Sequence, residues 1–349
     1  MTRPETPTGS SGAVQAHDSR LSGVTGDKIS ANRRSTRAAA TAAIWVNLMV
    51  IIAYRGLFGR VAIVPIVNDW ATLFMSVTLQ ALPFLVLGVV VSAAISSLLP
   101  AKWLERALPQ RPALAVPVAG IAGIALPGCE CSSVPVARRL MTRGVTPAAA
   151  LTFLLAAPAV NPVVLVATAT AFPGEPMIWI ARLTASLFAA TAVGLVWSRW
   201  GSPHLIEERI RVATEASRHE RFTDVVVEDF LQAGGFLALG AALVASVQTL
   251  VPASTLETVG GSGIVAIATM ATLAVLLSVC SEADAFVAAG LPQFSLTARL
   301  AFLVIGPMID LKLFTMQAGT FGRQFALRFA PLTFTVATTS AVIVGSLLL

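Results

Sequence analysis

The sequence predicts an all-α polytopic membrane protein: two inverted repeats with broken helices and re-entrant hairpins, plus one extra N-terminal transmembrane helix. Three observations carry that expectation, namely a shortage of charge, uncharged runs long enough to cross a bilayer, and a motif that occurs twice. Of 349 residues 56% are apolar and only 12% charged, about half the charged share of an ordinary soluble domain. Such a chain cannot clothe a water-facing surface. Residues 70–99 hold no charged side chain at all, whereas a bilayer-crossing helix needs about 20 apolar residues.

Residues 1–37 are rich in Ser, Thr, Gly and Pro without apolar periodicity, which reads as a disordered cytoplasmic tail. The run that follows, 38–60, comes after Lys28, Arg33, Arg34 and Arg37. No small-residue cleavage site ends it, so it reads as an uncleaved first transmembrane helix with a cytoplasmic N-terminus. The net charge of +6 sits in short basic clusters between apolar runs. That is a topology signal, so the partner expected is the lipid bilayer and no nucleic acid.

The repeat begins with QALPFLVLG at 80–88, which returns as QAGGFLALG at 232–240. Further on, Cys131-Ser132 pairs with Cys280-Ser281, Phe153 with Phe302, Pro158 with Pro307 and Asn161 with Asp310. We therefore divide the chain into a first transmembrane repeat at 69–200, a cytoplasmic linker at 201–228 and a second transmembrane repeat at 229–349. His204 and His219 of the linker read as part of a solvated helix rather than as ligands.

Topology follows from the basic residues. Lys102, Arg106 and Arg111 precede the short apolar piece 113–128, and Arg138, Arg139 and Arg143 follow the cysteines closely, which places both ends in the cytoplasm. A re-entrant hairpin satisfies this, because about a dozen residues cannot cross a bilayer. Each half then crosses three times, and the odd number inverts the second half. Residues 253–296 lack Lys and Arg, while the linker region carries Arg199, Arg209, Arg211, Arg218 and Arg221. The expectation is seven crossings with two hairpins and Leu349 outside; eight or nine full crossings are the alternative. It leaves Arg55, Arg60, Arg182 and Arg299 snorkelling to the outer interface.

The densest chemistry lies in PGCECSSVPVARRL at 127–140 and SVCSEADAF at 278–286. Three cysteines in a chain of this kind are not a disulfide framework. A lone membrane cysteine is ordinarily a small buried hydrophobe, but Cys129, Cys131 and Cys280 stand at repeat-related loops and read as soft ligands for a metal or metalloid. Glu130, Glu282 and Asp284 add carboxylates, which are costly within a bilayer and functional there by default. For Glu282 and Asp284 the bland reading is an exposed hairpin tip. Ser132, Ser133 and Ser281 read either as cargo contacts or as hydrogen-bond partners of the backbone. Pro158, Asn161 and Pro162 break one helix and Pro307 with Asp310 its counterpart, freeing backbone groups that only a lined cavity tolerates. A plain kink is the bland alternative. Asp310 is titratable where Asn161 is not, and Lys312 is placed to pair with it. The expectation is that Cys129 and Cys131 approach Cys280 and Glu282 despite their sequence separation.

These segments resemble the ArsP/YraQ-type family of predicted permeases, which carries a proline-cysteine-x-cysteine element, a basic glycine-containing stretch and an apolar run ending in Pro-x-x-Asn-Pro. The likeness covers about residue 70 to the C-terminus. It implies a membrane permease in the cell membrane, and its characterised relatives export trivalent organoarsenicals. Glu130 stands where a small residue is more usual, which points to a more cationic cargo. The reading is thus a secondary permease, not an enzyme, exporting a thiophilic metalloid or soft metal species, with no cofactor and with a partner membrane subunit left open. No GxxxxGK[ST] motif is present, so energy is expected from an ion gradient or a partner. A zinc-like divalent-metal permease is the near alternative. An intramembrane thiol oxidoreductase and a scaffolding membrane subunit are alternatives from other classes.

Overall fold

The computed structural model describes residues 65–98, 111–125, 129–201, 206, 210, 222–250 and 263–349. The tail 1–37, the first helix 38–60, Pro127, Gly128 and most of the 201–228 linker lie outside the described residues.

All regular structure among the described residues is helical. The first half runs α1 (Pro65–Leu98), α2 (Pro112–Ala122), α3 (Glu130–Thr142), α4 (Pro147–Val160), α5 (Pro162–Ala171) and α6 (Met177–Trp200). The second runs α7 (Phe222–Leu250), α8 (Ile264–Leu277), α9 (Asp284–Ala289), α10 (Leu296–Ile305), α11 (Leu311–Phe321) and α12 (Arg323–Leu348). Element order is the same in both halves: a long helix, two short ones, a broken pair and a plain helix. Prolines open α2, α4 and α5, where the missing N–H is one that the helix would not have used.

Among the described residues, five helical stretches are long and apolar enough to cross a membrane: Val67–Ile95, Pro147–Ala171, Met177–Trp200, Val226–Thr249 and Arg323–Leu348. Pro112–Ala125, Ile264–Leu277 and Leu296–Ile305 are apolar but shorter. In lipid a helix satisfies its own backbone, which is why an uncharged run of this length adopts it.

Packing follows the repeat. α1 lies along α7, and α6 along α12. Within each half, α2 packs on α4 and α4 on α6, just as α8 packs on α10 and α10 on α12. Across the halves α3 meets α11, and α5 meets α9. α4 is the most enclosed element, with every residue from Ala148 to Val160 buried. Its alanines let neighbouring backbones approach closely, the usual way helices associate where lipid supplies no hydrophobic drive.

Two glycines at the same place in the repeat seat the short helices. A Cβ on Gly88 would fall 2.5 Å from the Ser132 Cα, and one on Gly240 would fall 2.8 Å from the Lys312 Cα. α3 is thus pressed onto α1, and α11 onto α7. Arg138 and Arg139, read in the sequence as markers of the cytoplasmic side, clasp Asp229 of α7 at 3.4 and 3.0 Å, and Ser92 of α1 donates to the same carboxylate at 2.9 Å.

Candidate functional site

Cys129 is the N-cap residue of α3, with an extended backbone at φ −83° and ψ 179°. Glu130 follows in the first turn, where the helix dipole favours a negative charge. Ser132 and Ser133 donate their hydroxyls to the carbonyls of Cys129 and Glu130 at 2.8 and 2.9 Å. Each hydroxyl thus donates to the backbone of its own helix, with its lone pairs left as acceptors.

In the second half α8 stops at Ser278, whose backbone is left-handed at φ 47° and ψ 43°. A non-glycine residue there is strained by about 1–2 kcal/mol. Ser278 is held by donating Oγ to the Val275 carbonyl at 3.0 Å and accepting from the Leu311 N–H at 3.2 Å. The strained residue therefore ties the end of α8 to the start of α11. The irregular segment that follows carries Cys280, whose thiol donates to Glu282 Oε2 at 2.8 Å, with Ser281 Oγ 3.4 Å from the same oxygen.

The two halves meet here. One donor atom each from Cys129, Glu130 and Cys280 lie within 4.8 Å of one another, and all three residues are buried. Cys131, one residue further on, is buried as well, and all three cysteines are free. Around a tetrahedral zinc ion with sulfur at about 2.3 Å, two sulfurs stand about 3.8 Å apart. The cluster's donors, all within 4.8 Å of one another, are thus at most about 1 Å further apart than such a site needs.

Charge in this cluster is incompletely matched. Lys312 Nζ is in direct contact with Glu130 Oε1 and lies 3.9 Å from Asp310 Oδ2. Asp310 caps α11 by accepting from the Leu313 N–H through Oδ1, but its Oδ2 has no hydrogen-bond partner. Neither oxygen of Glu130 makes a hydrogen bond of good geometry. Buried polar atoms are rarely left so.

The other sequence candidates divide differently. Asp284 is no exposed tip: it is 1% exposed and forms a two-pronged pair with Arg182, NH1 to Oδ1 at 2.8 Å and NH2 to Oδ2 at 2.7 Å. Arg182 is fully buried and also donates to Thr168 Oγ1 at 2.8 Å and to the Ser281 carbonyl at 3.4 Å. This corrects the expectation that Arg182 snorkels to an interface; an internal carboxylate matches its charge at less cost than reaching the surface. Asn161 spends both ends of its amide on its own helix break, donating to the Ala157 carbonyl at 3.2 Å and accepting from the Val164 N–H at 2.9 Å. The break itself falls at Asn161 and Pro162, whereas Pro158 lies inside α4. Pro307 stands in the turn between α10 and α11. Asn161 and Asp310, mates in the repeat, thus cap the second piece of each broken helix in the same way.

The residues that sequence reasoning undervalued are the cations. Lys312 does lie within ion-pair distance of its near neighbour Asp310, at 3.9 Å, but its closer contact is Glu130 of the other half. The only hint was a lysine in the first turn of a helix, where the dipole disfavours it.

The family model of predicted permeases named ArsP_1 matches residues 66–346. The UPF0718 protein YcgR of Bacillus subtilis is 32% identical over 285 residues, spanning 79% of this chain and 95% of the relative. A Streptococcus mutans protein, named provisionally as a two-component membrane permease complex subunit, is 31% identical over 281 residues, spanning 78% of this chain and 91% of its own length. No solved structure matches the chain.

Proposed function

Because the chain belongs to the ArsP_1 family of predicted permeases, we propose that this multi-pass membrane protein is a secondary permease for a thiophilic cargo, a soft divalent cation or a trivalent metalloid, carried outward. The observation that carries this reading is the joining of Cys129 and Glu130 from one half with Cys280 from the other. Thiolates are soft ligands that select soft metals and arsenic(III) over hard cations, and Cys131, buried in the first turn of the same helix, offers a further sulfur. A site shared between halves is what alternating access uses, since rocking one half against the other opens it to either side.

The same reading takes 69–200 and 229–349 as inverted repeats. The reciprocal pairing of α3 with α11 and α5 with α9, and the matching caps at Asn161 and Asp310, support it. It further places the N-terminus and the linker in the cytoplasm, with 38–60 as an additional crossing. The complex-subunit name of the Streptococcus mutans relative supports a partner membrane subunit.

The test is transport by the full chain in proteoliposomes, with cadmium, zinc, cobalt, arsenite and methylarsenite as cargoes and C129S/C280S as the variant. A loss of at least about tenfold for the thiophilic cargoes, at unchanged protein content, is the expected result. Equal transport by the variant removes the sulfur site and leaves a permease of another cargo.

A further inference from the structure

We propose that Lys312 is a tethered cation that occupies the charge position of the cargo in the empty site and must leave Glu130 when a cargo cation binds. The inference rests on the cargo-site reading above and adds a residue that the reading does not use.

Four observations lead to it. Lys312 contacts Glu130 Oε1, so its ammonium sits against the carboxylate that, with Cys129 and Cys280, forms the donor cluster. A soft divalent cation bound there would be pressed against a positive charge already in place. Second, Lys312 stands in the first turn of α11 and is 1% exposed. Neither the helix dipole nor water holds it there, so Glu130 and Asp310 do. Third, an alternative berth exists: Asp310 Oδ2 lies 3.9 Å from Nζ and has no hydrogen-bond partner. A shift of about 1 Å brings the ammonium to the usual charge-assisted hydrogen-bond distance from it. Fourth, the backbone of α11 is seated closely on α7, where a Cβ on Gly240 would fall 2.8 Å from the Lys312 Cα, so the long side chain is the part free to make so small a movement.

The consequence is a two-position switch. With the site empty, Lys312 neutralises Glu130 and keeps a buried carboxylate from standing alone. With cargo bound, Lys312 rests on Asp310 and Glu130 becomes a ligand. The return of Lys312 to Glu130 then drives cargo off, so that binding stays weak enough for release.

The experiment is a cadmium titration of the purified full chain in detergent, followed by thiolate-to-metal absorption and calorimetry, for wild type, K312M, D310N and C129S/C280S. K312M removes the competitor and is expected to tighten cadmium binding at least about tenfold while slowing turnover in proteoliposomes. D310N removes the alternative berth but keeps a capping side chain, and is expected to weaken binding by a similar factor. Opposite signs are the signature, since a merely structural lysine would lower affinity in both variants. Unchanged or weaker binding by K312M overturns the proposal. Should K312M fail to fold, D310N decides alone, and unchanged or tighter binding overturns it. If wild type binds no cadmium, or C129S/C280S binds it as well as wild type, the sulfur site itself is wrong and the role of Lys312 falls with it.

Discussion

Arg182 with Asp284 and Lys312 with Glu130 are both ion pairs sealed from solvent, yet they are finished differently. The guanidinium fork of Arg182 serves both oxygens of Asp284 and then Thr168 and the Ser281 carbonyl, leaving only its Nε idle. The ammonium of Lys312 is a point charge between two carboxylates, with Glu130 Oε2 and Asp310 Oδ2 unserved. A planar fork that saturates its partner fixes geometry, whereas a point charge on a flexible stem can change partners. The first pair is a strut joining α5, α6 and α9; the second is built to be rearranged.

The largest effect expected is from breaking the strut. Arg182→Met leaves the Asp284 charge buried and alone, a loss of about 3–5 kcal/mol. Thermal unfolding in detergent should show the variant much less stable or unrecoverable, and R182M/D284L should recover most of the loss, because an apolar pair of suitable volume replaces a buried ion pair at little cost. If R182M unfolds like wild type, the contrast between the pairs is wrong.

A smaller effect should follow from moving the switch without touching its charges. Gly240→Ala places a methyl 2.8 Å from the Lys312 Cα and 2.6 Å from Thr315 Oγ1, forcing α11 off α7. Overpacking of this kind costs about 1–3 kcal/mol, and the accompanying shift of Lys312 should appear as altered cadmium affinity. Gly174, with open space around its Cα, is the control for the same substitution.

The smallest effect on stability is expected from Asp310→Asn. Asn and Asp cap helices about equally well, and Asn161 shows the cap in the other half. Unfolding should move by less than about 1 kcal/mol even as cadmium binding changes. A large destabilisation would mean that Asp310 belongs with the strut and not with the switch.

Sequence reasoning and structure part company over polar side chains. The apolar runs, the break at Asn161, the short pieces beside the cysteines and the all-helical class were legible, because each is a local property of charge, length and proline placement. Ser132, Ser133 and Asn161 read either as cargo contacts or as backbone partners and caps, and the hydrogen bonds they make in the structure run to their own helices. That competition between backbone and ligand is invisible until the helix ends are placed.

By itself, then, the sequence determined that the chain lives in a bilayer, that its plan is repeated, and that sulfur and carboxylate collect at two repeat-related loops. Composition and periodicity fix these because they depend on neighbours along the chain. Only the tertiary structure decided which charges meet: Arg182 with Asp284 across 102 positions and Lys312 with Glu130 across the two halves, whereas the approach of Cys280 to Cys129 was already expected from the repeat. Charge pairing is settled by which helices approach closely enough, and here two glycines of the repeat, Gly88 and Gly240, allow α3 and α11 to press onto the long helices that position them.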